Sequence, residues 1–347
     1  MKTKKVESLQ ENEILALPVC TEEGEVLLPK GTELKREYMD ILISLNIAEI
    51  QIEDKYSSYE QPTWLITETE KETYLNRIQK LLENHIYKER ASLRSVKDLA
   101  FDLVEYANKM DLDKVYDMLY QKTNLYEHTL RVTILSLLTA RKLKLSKGQL
   151  YAITVGALLH DLGLRYITVS YIDRDLTLLS PEEMFEYKKH TILAYTVLDG
   201  KEDWLPEISK EMILSHHEKS DGSGFPLKQK NQKMECKILQ LCDTFDCLIS
   251  GMECRRYPID QVIEYFLVES ENKYDKKAMT ALFSMIAKYP VGTEVELTNG
   301  KYGIVKRQTK YPEFPVIMEL TEADGKIMGE KVFDLECEQN NGIYRIL

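Results

Sequence analysis

Two adjacent histidines, His216 and His217, close an apolar-periodic run made by Ile208, Met212 and Ile213. A glycine-rich, acid-bearing loop follows at once: Glu218, Lys219, Ser220, Asp221, Gly222, Ser223, Gly224, Phe225 and Pro226. Neutral imidazole nitrogens are ligands for transition metals. The glycines let backbone approach a ligand closely, and Pro226 stiffens the exit of the loop. An isolated His pair on a last helical turn usually does no more than finish the helix. Here, however, five of the six histidines (His128, His160, His190, His216 and His217) fall in one stretch, and Asp161 directly follows His160. The steps between the first four are about thirty residues, each one helix plus a connection. Asp243 lies on a later helical pattern. Helices that each bring one ligand to a common interior are how bundles build metal sites. Five nitrogens and two carboxylates suffice for two ions with positions left for water and substrate, and a buried Asp161 can bridge them. Two ions that activate water and stabilise charge developing on phosphorus point to hydrolysis of a phosphate ester.

The elements that must position these residues follow from periodicity. Leu125 to Leu143 is amphipathic, with His128 near its start. Gln149 to Leu162 is apolar almost throughout, as a buried central helix is, and ends in His160, Asp161, Leu162 and Gly163, with Gly163 expected to cap it. Ser180 and Pro181 open a helix expected to carry His190, and Met234 to Ile249 carries Asp243. Residues 1–55 read as a small N-terminal α+β module, with Thr32 as a helix N-cap. Residues 56–118 read as a linker and connecting helices, 119–290 as all helix, and 291–347 as a small C-terminal β module with an Asn299-Gly300 hairpin turn. His85 has no partner motif and is read as a surface histidine.

Composition limits the partners. A net charge of −11 over 347 residues argues against DNA and anionic membranes, which need clustered positive charge. The basic start, Met1 to Lys5, lacks the apolar run of a signal peptide, and no uncharged run is long enough for a membrane span. The six cysteines include no CxxC, so they are expected as reduced, mostly buried thiols of a cytoplasmic protein.

The spaced histidines, the His160-Asp161 pair and above all the run from His216 to Pro226 resemble the HD-GYP branch of the HD-domain metal-dependent phosphohydrolases, over roughly residues 119–290. The resemblance implies a mainly α protein, an HD-type all-helical bundle with small flanking modules. It implies a bacterial phosphodiesterase of the second messenger cyclic di-GMP, yielding a linear dinucleotide or GMP. It assigns His128, His160, Asp161 and Asp243 to one ion and His190, His216 and His217 to a second, with Asp161 bridging and the His160-Asp161 pair at the reaction. Iron or manganese suits such a site, and zinc also fits. Gly222, Gly224, Phe225 and Pro226 form the loop named for GYP, where Phe225 keeps the ring and drops the hydroxyl. Glu218 and Asp221 are expected to brace it. Arg165 and Arg255 are the candidate phosphate contacts.

Three departures from the family pattern stand out. Leu164 replaces a lysine, with Arg165 one place later. Asn124 replaces a glutamate that holds a third metal in some members, so two ions are expected. Met252 replaces an arginine. These losses leave two alternatives open: a degenerate sensor that binds a cyclic dinucleotide without turnover, and hydrolysis of another phosphate ester. The N-terminal module is expected to serve a signalling partner or a second copy of the chain.

Overall fold

A computed structural model describes residues 2–6, 9–20, 26–45, 47, 49–53, 60–87, 90–118, 124–170, 175–200, 203–252, 254–269, 272–323, 326–336 and 342–347. The chain divides into two compact units.

The first unit takes Met1–Trp64, Lys114–Lys122 and Ile286–Leu347. Its N-terminal part holds β1 (Lys2–Lys5), β2 (Val19–Cys20), β3 (Val26–Leu28), α1 (Arg36–Ser44) and β4 (Glu49–Ile52). β1 pairs antiparallel with β4, and β2 with β3. Leu15, Leu34, Leu42, Ile50 and Ile52 form the core there. Lys35, not Thr32, precedes α1. The Thr32 hydroxyl instead donates to Pro29 O, which ties it into the preceding turn. The C-terminal part is an antiparallel sheet of β5 (Glu294–Leu297), β6 (Tyr302–Arg307), β7 (Val316–Ala323), β8 (Lys326–Asp334) and β9 (Ile343–Ile346), in the order β8-β7-β6-β5-β9. Gly300, at φ 79°, supplies the left-handed residue that the β5–β6 turn requires. Val295, Leu297, Val305, Ile317 and Leu335 close its core.

The second unit, Leu65–Asp113 and Thr123–Met285, is helical. It contains α2 (Glu68–Tyr87), α3 (Val96–Lys109), α4 (Leu125–Lys142), α5 (Lys147–Leu159), a 3-10 turn (Leu162–Tyr166), α6 (Pro181–Lys188), α7 (His190–Val197), α8 (Glu207–Ser215), α9 (Met234–Ser250), α10 (Ile259–Glu264) and α11 (Lys276–Phe283). The connecting segment 56–118 is thus divided, because α2 packs on α4 and α3 packs on α5. α5 has no polar face and lies against α3, α4, α8 and α9. Its start is fixed by a capping box between Ser146 and Gln149, and α6 starts the same way with Ser180, Glu183 and Pro181.

Two local expectations change. The helix begun at Ser180 breaks at Lys189, so His190 opens α7 instead of ending α6. Gly163 caps nothing and sits inside the 3-10 turn. A Cβ there would lie 1.8 Å from His190 O, so the glycine is what lets the chain after Asp161 pass against α7.

No disulfide joins the described cysteines; Cys236, Cys242 and Cys247 are buried, Cys20 is exposed, and Cys337 lies outside the described residues, as does the side chain of His85.

Candidate metal centre

Asn124 accepts from the N–H groups of Tyr126 and Glu127 and so fixes the first turn of α4, one turn before His128. His160 and Asp161 leave the C-terminal end of α5. His190 begins α7, His216 and His217 follow α8, and Asp243 sits in mid-α9. All are buried except His217, which is partly so.

The ring orientations share one device. Nδ1 of His160 stands 2.7 Å from Ala157 O, that of His190 2.8 Å from Tyr187 O, and that of His216 2.8 Å from Ile213 O. A carbonyl oxygen only accepts, so each Nδ1 carries the proton and each Nε2 turns a lone pair inward. His128 Nδ1 is held by Asp246 Oδ2 at 2.8 Å.

Inward, the ligand atoms fall into two groups: His128, His160 and Asp243, and Asp161, His190, His216 and His217. His128 Nε2 and His160 Nε2 are 3.3 Å apart, and His190 Nε2 and His216 Nε2 3.2 Å apart. Bonds of about 2.1 Å to one ion place two nitrogens about 3.0–3.4 Å from each other, so these spacings fit shared coordination. Asp161 lies between the groups. Its Oδ2 is 3.6 Å from His128 Nε2 and 3.4 Å from His160 Nε2; its Oδ1 is 3.7 Å from His190 Nε2 and 3.6 Å from His216 Nε2. Asp243 Oδ1 is 3.2 Å from His128 Nε2, and its Oδ2 is 3.7 Å from His217 Nδ1. Both oxygens of Asp161, Oδ2 of Asp243 and Nε2 of His217 are buried without a hydrogen-bond partner. Orphaned carboxylate oxygens gathered in this way are costly unless a cation satisfies them.

Electrostatics divides the cluster along the same line. Burial opposes charge on His128, but hydrogen bonds that its ring donates to the Asp243 and Asp246 carboxylates override it and raise its pKa to about 10. On the other side, burial and the neighbouring His216 lower His190 to about 4 and push His217 well below its usual value. Burial would raise Asp161, yet the surrounding histidines, His160 foremost, hold it well below the usual carboxylate range. An ionised Asp161 beside neutral His190 and His217 is the protonation state that metal binding needs, and an ion in the other group would displace the proton that His128 holds.

The loop after His217 is pinned from inside. Glu218 accepts from Leu227 N at 2.5 Å and Gln229 N at 3.0 Å, and Asp221 accepts from Ser223 N and its hydroxyl. Gly224 runs so close to the preceding strand of chain that a Cβ would lie 2.4 Å from Glu218 Cα. Gly222 takes φ 82°, Pro226 follows Phe225 through a cis peptide bond, and the Phe225 ring stacks on His217 at 4.6 Å between centroids.

Other sequence candidates lie elsewhere. Arg165 Nη2 donates to Glu83 Oε2 at 2.7 Å, while Tyr126 hydrogen-bonds the other Glu83 oxygen. Arg255 is exposed beyond the end of α9, and Leu164 and Met252 are buried. A cavity of about 380 Å³ opens beside His217, lined among others by Lys188, Lys219, Gly224, Phe225, Lys273 and Tyr274. Sequence reasoning gave no role to Lys219, Lys273 or Tyr274, nor to the Arg131–Asp246 pair behind His128. Arg131 Nε donates to Asp246 Oδ1 at 2.6 Å. The available signal was helical spacing: Arg131 is three residues after His128 and Asp246 three after Asp243, each on its partner's face.

Separate helices thus deliver histidines and aspartates to two adjoining groups, each of which could hold a metal ion. The family model described as HD domain matches residues 114–278. That segment is an HD domain, and the HD-GYP resemblance read from its histidine motifs holds. A cyclic di-GMP phosphodiesterase of Thermotoga maritima is 30% identical over 159 residues, covering 44% of this chain and 40% of that protein. The cyclic di-GMP phosphodiesterase response regulator RpfG of Xanthomonas campestris pv. campestris is 29% identical over 148 residues, covering 42% and 39%. The chain spans about two fifths of the length of these curated relatives. Among solved structures, Bd1817, a HDG"Y"P protein from Bdellovibrio bacteriovorus, shares the fold with a TM-score of 0.52 at 19% identity, over 81% of this chain and 97% of that one. No described helix is long and apolar enough to cross a membrane.

Proposed function

We propose that this protein is a two-metal phosphodiesterase that hydrolyses cyclic di-GMP. The observation that carries the reading is Asp161, whose two buried, unpartnered oxygens turn toward different histidine groups. His128, His160 and Asp243 would hold one ion, His190, His216 and His217 the other, and Asp161 would bridge. Such ions supply Lewis acidity toward a phosphodiester and lower the pKa of the attacking water. Iron or manganese suits the mixed imidazole and carboxylate donors, and zinc is the other candidate. The chain's own part is to fix the donors. Backbone carbonyls and Asp246 set the imidazole tautomers, and the pinned loop closes one wall of the site. The relatives named as cyclic di-GMP phosphodiesterases supply the substrate class.

Turnover of cyclic di-GMP by protein loaded anaerobically with Fe(II) or Mn(II) tests this, with Asp161→Ala as control. Hydrolysis by the wild type that is lost in the variant, together with a fall in bound metal, is the expected result. Stoichiometric metal with no turnover of cyclic di-GMP sinks the reading.

A second reading, binding without turnover, draws on the buried Leu164 and Met252 and on Arg165 being engaged by Glu83. None of these three positions offers the phosphate the cation that the family pattern leads one to expect. Tight cyclic di-GMP binding by a metal-loaded but inactive wild type would select it.

A further inference from the structure

A cyclic dinucleotide carries two phosphates, and the metal groups engage only the one being cleaved. The second must meet positive charge elsewhere or lose its hydration uncompensated. Positions 164 and 252 supply no cation, and Arg165 is committed to Glu83. The cavity beside His217 does supply one. Its described lining includes Lys188, Lys219 and Lys273 and no carboxylate, in a chain of net charge −11.

Resting on the phosphodiesterase reading, we propose that Lys219, with Lys273 and Lys188 around it, forms the subsite for the phosphate that is not cleaved, and that Tyr274 and Tyr265 wall the adjoining nucleoside. Lys219 is built into place. Its ammonium donates to Thr244 Oγ1 at 3.0 Å and to Tyr274 OH at 2.6 Å. Thr244 adjoins Asp243 in α9, and Lys219 is two residues beyond His217. One ammonium is therefore anchored between two metal-facing segments. Ser220 N donates to Lys273 O at 3.0 Å, which ties the Lys273 segment to the same loop. The Lys188 ammonium stands over the Phe225 ring, 5.2 Å from its centroid. Cations interleaved with aromatic rings are what a nucleotide phosphate and its base require together. The arrangement also gives this chain its own answer to the residues it lacks, with the phosphate-binding charge coming from the loop after His217.

The test is calorimetric titration of the metal-loaded protein with cyclic di-GMP, alongside steady-state turnover, for wild type, Lys219→Met and Lys273→Ala. Metal content and thermal melting report folding, and Lys273→Ala removes a wall residue whose side chain makes no described hydrogen bond, its ammonium acting only through charge on Asp221. Each variant is expected to keep its metal, to bind about tenfold more weakly or worse, and to raise KM more than it lowers kcat. Unchanged affinity in both variants overturns the subsite even where the wild type turns over, and so does a wild type that fails to bind. Lysine-dependent binding with no wild-type turnover overturns the phosphodiesterase reading and leaves the subsite standing.

Discussion

A neutral imidazole is a well-aimed ligand only when its second nitrogen is held, and at His128 a carboxylate does the holding. The other three buried histidines use backbone carbonyls, which no side-chain substitution removes. His128 relies on Asp246, and Asp246 is in turn clamped by Arg131 through Nε at 2.6 Å and Nη2 at 3.1 Å. At this position the orientation of a ring can be undone by a side-chain substitution that touches no candidate ligand. Asp246→Asn should weaken metal binding about 10- to 100-fold, as loss of such outer partners typically does. Chelator competition against the wild type would check it, and an unchanged dissociation constant would show that α4 packing alone orients the ring.

At the scale of elements, the two halves of the centre meet because two helices end or begin where a ligand is needed. α5 stops at Leu159, and α6 gives way to α7 at Lys189, so His160, Asp161 and His190 all project from helix termini. Gly163 permits the contact. Even alanine there would place its Cβ inside the His190 carbonyl. Backbone cannot yield as a flexible side chain can, so Gly163→Ala should destabilise the fold by about 2–4 kcal/mol and displace His190. Chemical unfolding and metal content together read this. A variant with wild-type stability and full metal would mean that the turn after Asp161 relaxes freely.

At the scale of the molecule, the first unit is assembled from three distant segments, and one buried carboxylate ties them. Asp117 accepts from Thr63 N at 3.1 Å, Val291 N at 2.8 Å and Gln308 Nε2 at 3.1 Å. Burial raises its pKa from 3.8 to about 6 despite those donors. Because the folded pKa lies above the unfolded one, the stability from this group is complete below the unfolded value and is lost as pH rises through about 6. Asp117→Ala leaves three donors buried and should cost about 2–4 kcal/mol. The penalty should be larger at pH 5 than at pH 7.5 by about 1 kcal/mol, from the same linkage. Melting curves of both proteins at the two pH values decide it, and a penalty that grows toward pH 7.5 would mean the carboxylate is stabilised in its charged form.

The candidate ligands were legible in the sequence because metal chemistry restricts residue types severely, and helix periodicity suggests which of them face inward. His128, His160, Asp161, His190, His216, His217 and Asp243 could all be named as candidates before any fold was known, as could the helices around them, apart from the break at Lys189 that gives His190 a helix of its own. The β texture after Tyr289 was equally plain, since strand alternation and an Asn-Gly turn are local signals. What sequence could not give were the contacts made across the fold. Asp246 on His128, Glu83 on Arg165, Gly163 under His190 and Thr244 with Tyr274 on Lys219 join residues far apart in the chain, and no local pattern encodes a long-range partner. The place of α2 and α3 was hidden for the same reason. Their charged, linker-like surface is a local property, whereas their packing on α4 and α5 depends on which apolar stripe the tertiary structure brings opposite them.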